Sequence, residues 1–160
     1  MDSALDPEIL PFDRPGFLIR RAHQITLSLF LDHFKDYGIS PHQLGALICL
    51  LRYGAMKQIA LAKLLGLDRS TMALVVGLLE RRGLIAANPL PTDRRTKELA
   101  ITAAGEEVVR GSRALLDTLK AEMMSVFTAA ESAEFQRLLK KFNDGFNDRS
   151  RVPVSPPPAG

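Results

Sequence analysis

Inward-facing positions recur at helical spacing along most of this chain, and the period breaks only where turn residues stand. From Gly16 to Tyr37 the repeat runs through Ile19, Ala22, Thr26, Leu29, Phe30, His33, Phe34 and Tyr37. It predicts one long first helix, closed by Gly38. Ser40-Pro41-His42-Gln43 reads as the next start: serine caps, proline suits the first helical position, and Gln43 completes a capping box. The second helix then runs to about Arg52, and Tyr53-Gly54-Ala55 is a loop. A third covers Lys57 to Leu65 with Ile59, Leu61, Ala62 and Leu65 inward. A turn at Leu65-Gly66-Leu67 leads to Asp68, the cap of a fourth helix that Gly83 ends. The pattern changes at Leu84-Ile85-Ala86-Ala87 and Glu98-Leu99-Ala100-Ile101. These flank a Pro-, Asp- and Arg-containing loop and predict a hairpin. Thr102 caps a long fifth helix reaching about Ser125, with Val108, Val109, Leu115, Leu116, Leu119 and Met123 inward. Thr128-Ala129-Ala130-Glu131 opens a sixth that carries Phe135, Leu138, Leu139 and Phe142. Residues 1–15 read as an extended arm, and the Pro-rich residues 152–160 as a disordered tail.

Two helices joined by a short Gly-containing turn, followed at once by a basic hairpin, are the parts of a duplex reader. The first turn of the fourth helix offers Arg69, Ser70 and Thr71 to a major groove, and Gln58 at the start of the third is placed to donate to a phosphate. Asp93 is suited to shape the hairpin tip, since aspartate satisfies loop N–H groups. Arg94 or Arg95 would then reach the minor groove, whose negative potential attracts guanidinium. The net charge of +3 is a mild basic excess, so location matters more than total. Arg81, Arg82, Arg94, Arg95 and Lys97 gather around this module.

The pieces Leu67-Asp68-Arg69-Ser70-Thr71, Leu79-Glu80-Arg81-Arg82-Gly83-Leu84-Ile85, Asp93-Arg94-Arg95 and Ile101-Thr102-Ala103-Ala104-Gly105 follow one another at a spacing that resembles the MarR family of winged helix-turn-helix transcriptional regulators. The resemblance covers roughly residues 16–146. It implies a mainly α fold with a two-stranded β wing, a DNA-binding lobe over about 40–101, and dimerisation helices over about 16–37 and 102–146. It also implies a homodimer on a pseudopalindromic operator, and small effectors bound between the dimerisation helices and the DNA lobe. The chain departs from the family pattern at Ala73, Leu74, Gly77, Leu78 and Ala86-Ala87, where polar or charged residues are common. These losses keep open a winged-helix interaction module that no longer binds DNA, and a ligand-independent regulator is a further alternative.

An effector cleft can be sketched on the first helix. Arg20 and His23, three residues apart, share one face and suit a carboxylate, and Phe30, His33, Phe34 and Tyr37 would wall an apolar slot. A small aromatic or phenolic acid fits that chemistry. The rest of the composition subtracts possibilities. A single cysteine, Cys49, excludes an internal disulfide and sits among leucines as a small hydrophobe. The three histidines form no metal-ligand spacing, and the sequence holds no nucleophile elbow or phosphate-binding glycine loop. The expectation is a non-enzymatic, cofactor-free, cytoplasmic repressor without a membrane segment.

Overall fold

A computed structural model describes residues 12–90 and 93–155, the side chains of 90 and 93–96 excepted. Helix α1 spans Pro15–His33, α2 Pro41–Tyr53, α3 Gln58–Leu65 and α4 Arg69–Arg81. Strands β1 (Ile85–Leu90) and β2 (Asp93–Ile101) form the hairpin, and α5 (Ala103–Met124) and α6 (Ala129–Phe146) complete the chain. The predicted caps are in place. Ser40 and Gln43 form a reciprocal capping box, as do Thr128 and Glu131, while Asp68 and Thr102 each accept a backbone N–H from three residues on.

The first helix stops a turn earlier than its apolar repeat predicts. After His33 the backbone tightens: the Tyr37 amide donates to the Phe34 carbonyl and the Gly38 amide to Phe34 and Lys35. Gly38, at φ 55°, then takes the left-handed conformation that only glycine adopts freely. Tyr37 is therefore in a turn, and its hydroxyl reaches across to α5 beside Gly111, where a β-carbon would meet it at 2.6 Å.

Phe30 and Phe34 stack with centroids 4.3 Å apart and enter the main core. There they join Leu44, Leu47 and Leu50 of α2, Leu61 of α3, Met72, Val75, Val76 and Leu79 of α4, and Leu84, Ile85 and Leu99 of the hairpin. Ile59 is not inward as the repeat suggests: it is 68% exposed, because an eight-residue α3 turns only one narrow face to the core. The strands pair antiparallel from Ile85↔Ile101 to Pro89↔Lys97, with an irregularity before Leu90↔Asp93, so the hairpin is longer than its apolar ends indicate. Met56 forms an added bridge to Leu99, tying the start of α3 to the wing.

The Thr-x-x-Gly exit from the wing has a packing cause. Thr102 Oγ1 donates to the Gly83 carbonyl and its amide donates to Leu84, drawing α5 onto the chain that enters β1. At Gly105 a β-carbon would lie 2.2 Å from the Leu84 carbonyl oxygen, so only glycine fits. Beyond this point α5 packs on α1 and α2, with Leu119 buried. Helix α6 has no buried residue: Leu138, Leu139, Phe142 and Phe146 are exposed, and so are Leu18, Ile19, Ile25, Leu27 and Leu31 of α1.

The tail departs from the expectation of disorder over its first residues. After a 3-10 turn at Asn147–Arg149, Asn147 brackets Val154 by donating to its carbonyl and accepting its amide. The Ser155 amide donates to the Lys63 carbonyl, and Val154 packs over Gly66, so this segment lies against the helix-turn-helix corner. Residues 156–160 of the tail and 1–11 of the arm lie outside the described residues.

Candidate nucleic-acid interface

The helix-turn-helix corner is set by Gly66, left-handed at φ 62°, which caps α3 and turns the chain into Asp68. Asp68 then fixes the first turn of α4. Its carboxylate accepts the Thr71 amide and the Thr71 hydroxyl, both at 2.8 Å, and these bonds hold it below the usual carboxylate range. Arg69 and Ser70 stand exposed on that turn, while Thr71 is half-buried with its hydroxyl proton committed to the cap. Thr71 is thus left with acceptor capacity only.

Met72, Val75, Val76 and Leu79 bury one face of α4, which leaves Ser70, Ala73, Leu74, Gly77 and Arg81 on the other. Gln58 and Arg69 share a cavity of about 650 Å³ with Lys63, Met72 and the tail residue Val152. Asp93, Arg94 and Arg95 begin β2, and their side chains lie outside the described residues. Arg81 and Lys97 are exposed.

Arg82 behaves differently from its neighbours in the basic cluster. Its guanidinium forks back to the Gly38 carbonyl at 2.7 Å and the Tyr37 carbonyl at 2.8 Å. It therefore ties the C-terminal end of α4 to the α1–α2 connection, a role that the run Arg81-Arg82 does not reveal because the acceptors are backbone atoms 44 and 45 positions away.

The six residues sketched as an effector cleft are distributed over separate environments. Arg20 lies exposed over the Phe17 ring at 4.9 Å and donates to Gln24, and His23 is exposed on the same helix. Phe30 and Phe34 are core residues, and Tyr37 faces Gly111. His33 Nε2 lies 2.6 Å from Glu122 Oε2 of α5, a contact between helices 89 positions apart that no sequence spacing signals. A separate, mostly apolar groove is lined by Leu116, Leu119, Met123, Phe135 and Leu139 of α5 and α6. Burial pushes the Cys49 thiol up, which makes it a poor nucleophile. No group of three or more metal-ligating side chains occurs among the described residues. Nor is any helix there long and apolar enough to cross a membrane.

This arrangement has close parallels. The sequence profile of the MarR family matches residues 39–97, from the turn before α2 through the wing. The PcaV transcriptional regulator from Streptomyces coelicolor is 30% identical, with a TM-score of 0.73 over 82% of this chain and 96% of that one. The chain belongs to the MarR family. The MarR-type likeness extends well past the profile. BpsR of Bordetella bronchiseptica, whose DNA binding is regulated by 6-hydroxynicotinic acid, superposes with a TM-score of 0.79 at 25% identity, over 84% of this chain and 96% of that one. The HTH-type transcriptional repressor MdtR of Bacillus subtilis (strain 168) is 29% identical over 115 residues, 69% of this chain and 72% of that protein. The winged-helix architecture and the DNA-binding type of transcriptional regulation are therefore those of the MarR family.

Proposed function

We propose that the protein is a homodimeric repressor that occupies a pseudopalindromic operator and is released from it by a small aromatic acid. The observation that carries the DNA part is the exposed first turn of α4, Arg69 and Ser70, presented by the Asp68 cap beside a wing whose β2 begins Asp93-Arg94-Arg95. The uncovered apolar residues of α1 and α6 support a twofold dimer. Such symmetry sets two reading helices about one DNA turn apart. A repressor of this kind works in the cytoplasm, with the DNA it binds.

The test is binding to duplex DNA from upstream of the protein's own gene across a salt titration. Changing both Arg94 and Arg95 to alanine is expected to weaken binding, and to reduce the magnitude of the log–log salt slope by about 0.9 for each phosphate no longer neutralised. A variant with unchanged affinity and slope removes the wing from the interface.

The effector part rests on likeness to BpsR, regulated by 6-hydroxynicotinic acid, and on Arg20 and His23 sharing one face of α1. A ligand that prefers a dimer whose lobes are wrongly spaced for DNA shifts the population away from the bound form. Calorimetry with a panel of benzoate and pyridine carboxylates is expected to show binding that Arg20→Ala weakens. If no acid in the panel binds or displaces DNA, the protein is a ligand-independent regulator. A second reading, an interaction module without DNA binding, is favoured by the apolar Ala73, Leu74, Leu78 and Ala87. It predicts no salt-sensitive DNA complex at all.

A further inference from the structure

Helix α4 carries an apolar residue at the centre of the face that a DNA reader turns outward. Leu74 is 70% exposed, one turn after Ser70 and two turns before Arg81, directly opposite the buried Met72, Val76 and Leu79. A single exposed leucine needs no explanation by itself. Its neighbours supply one. Gly77 is the next residue along the same line, and helix interiors disfavour glycine. Nothing within the protomer demands it there: an added β-carbon would only touch the flexible end of Arg81, at 3.4 Å. A small residue that the protomer does not require, beside a projecting leucine, leaves clearance for something approaching from outside.

The chemistry narrows what that something is. Every base-pair edge in the major groove presents hydrogen-bonding groups, and the C5-methyl of thymine is the apolar feature among them. A leucine pressed against an exocyclic amine or a ring nitrogen would strip water from it and return no hydrogen bond, which is unfavourable. Against a thymine methyl it buries apolar surface on both sides. Ser70 and Arg81, exposed at either end of the stripe, are the polar groups that flank it.

We propose that Leu74 reads a thymine methyl near the middle of each half-site, with Gly77 providing the clearance. The inference rests on the operator-binding reading above and adds the base that the reading helix selects.

Its test uses the full chain. Duplexes that bind specifically are first selected from a random pool, and each half-site thymine is then replaced in turn by deoxyuridine, which removes the methyl alone. One thymine per half-site is expected to matter, with a loss of affinity of about fourfold for each half-site substituted. Leu74→Ala, which keeps a strong helix former at an exposed position, is expected to melt like the wild type. It should bind the unmodified duplex about fourfold more weakly per half-site and show no further loss on the deoxyuridine duplex. Leu74→Met, which keeps the apolar contact, is expected to restore sensitivity to the methyl. A wild type indifferent to every methyl, or a Leu74→Ala variant as sensitive as the wild type, overturns the assignment while leaving operator binding intact. Failure to select any duplex over random competitor overturns both readings.

Discussion

At the scale of single residues, position in space decides what each side chain does with its chemistry. Asp68 is the clearest case. Its carboxylate is spent on the first turn of α4, held ionised by the Thr71 amide and hydroxyl. A carboxylate whose folded pKa lies below its unfolded value contributes stability that is complete above the unfolded pKa and is lost as pH falls through the folded one. Asp68→Ala is therefore expected to lower the melting temperature at neutral pH. The difference from wild type should shrink as pH drops below about 4, which paired thermal melts across that range will show. Glu131, held down by Thr128, and Glu134, held down by Arg137, carry the same sign and add to the acid sensitivity of α6. Gly105 is the steric counterpart. Gly105→Ala would force a β-carbon against the Leu84 carbonyl and is expected to cost about 2–3 kcal/mol, read as a lowered denaturation midpoint.

At the scale of elements, the important contacts are those that fix one helix relative to another. Arg82 holds the far end of α4 to the carbonyls of Tyr37 and Gly38, and Tyr37 in turn lies against Gly111 of α5. A 13-residue helix is about 20 Å long, so a tilt of about 10° at the Arg82 end moves the Arg69 end by about one base-pair rise. Arg82→Ala is expected to cost about 1–2 kcal/mol by chemical denaturation. It is also expected to blunt discrimination between operators whose half-site spacing differs by one base pair, while random-sequence affinity stays nearly constant. The tail is a second such contact. Asn147→Ala removes both bonds to Val154 and is expected to speed tryptic cleavage after Arg149 and Arg151, followed by mass spectrometry.

For the whole molecule, Leu138, Leu139, Phe142 and Phe146 of α6 and Leu18, Ile19, Ile25, Leu27 and Leu31 of α1 are large apolar side chains left exposed, the kind of surface that marks an association site. A double change, Leu139→Asp with Phe142→Asp, places charge on that surface and is expected to yield a folded monomer in analytical ultracentrifugation. That monomer should keep its helical circular dichroism and lose specific DNA binding, because a protomer alone can engage only one half-site. A variant that stays dimeric moves the interface away from α6.

Local rules acted through neighbouring residues, so they could be read from the chain. The caps at Ser40, Asp68, Thr102 and Thr128, the glycine stops, the helix-turn-helix and the hairpin all depend on groups within a few positions of one another, and apolar periodicity named part of the core, Phe30, Phe34, Leu61, Ala62 and Leu119, but not the inward faces of α2 and α4. Periodicity failed where a local tightening overruled it, at Tyr37, and where a short helix had too little surface to bury, at Ile59. It also failed where a tail of apparently low-complexity composition found partners on α3, at Val154 and Ser155. The candidate site divides the same way. The exposure of Arg69 and Ser70 was legible because a capped helix start leaves its first turn open to solvent. By contrast, the turn of Arg82 toward Tyr37 and Gly38, the meeting of His33 with Glu122, and the scattering of the proposed effector residues depend on contacts between distant parts of the chain. Those contacts are chosen by packing, so only the tertiary structure decided them.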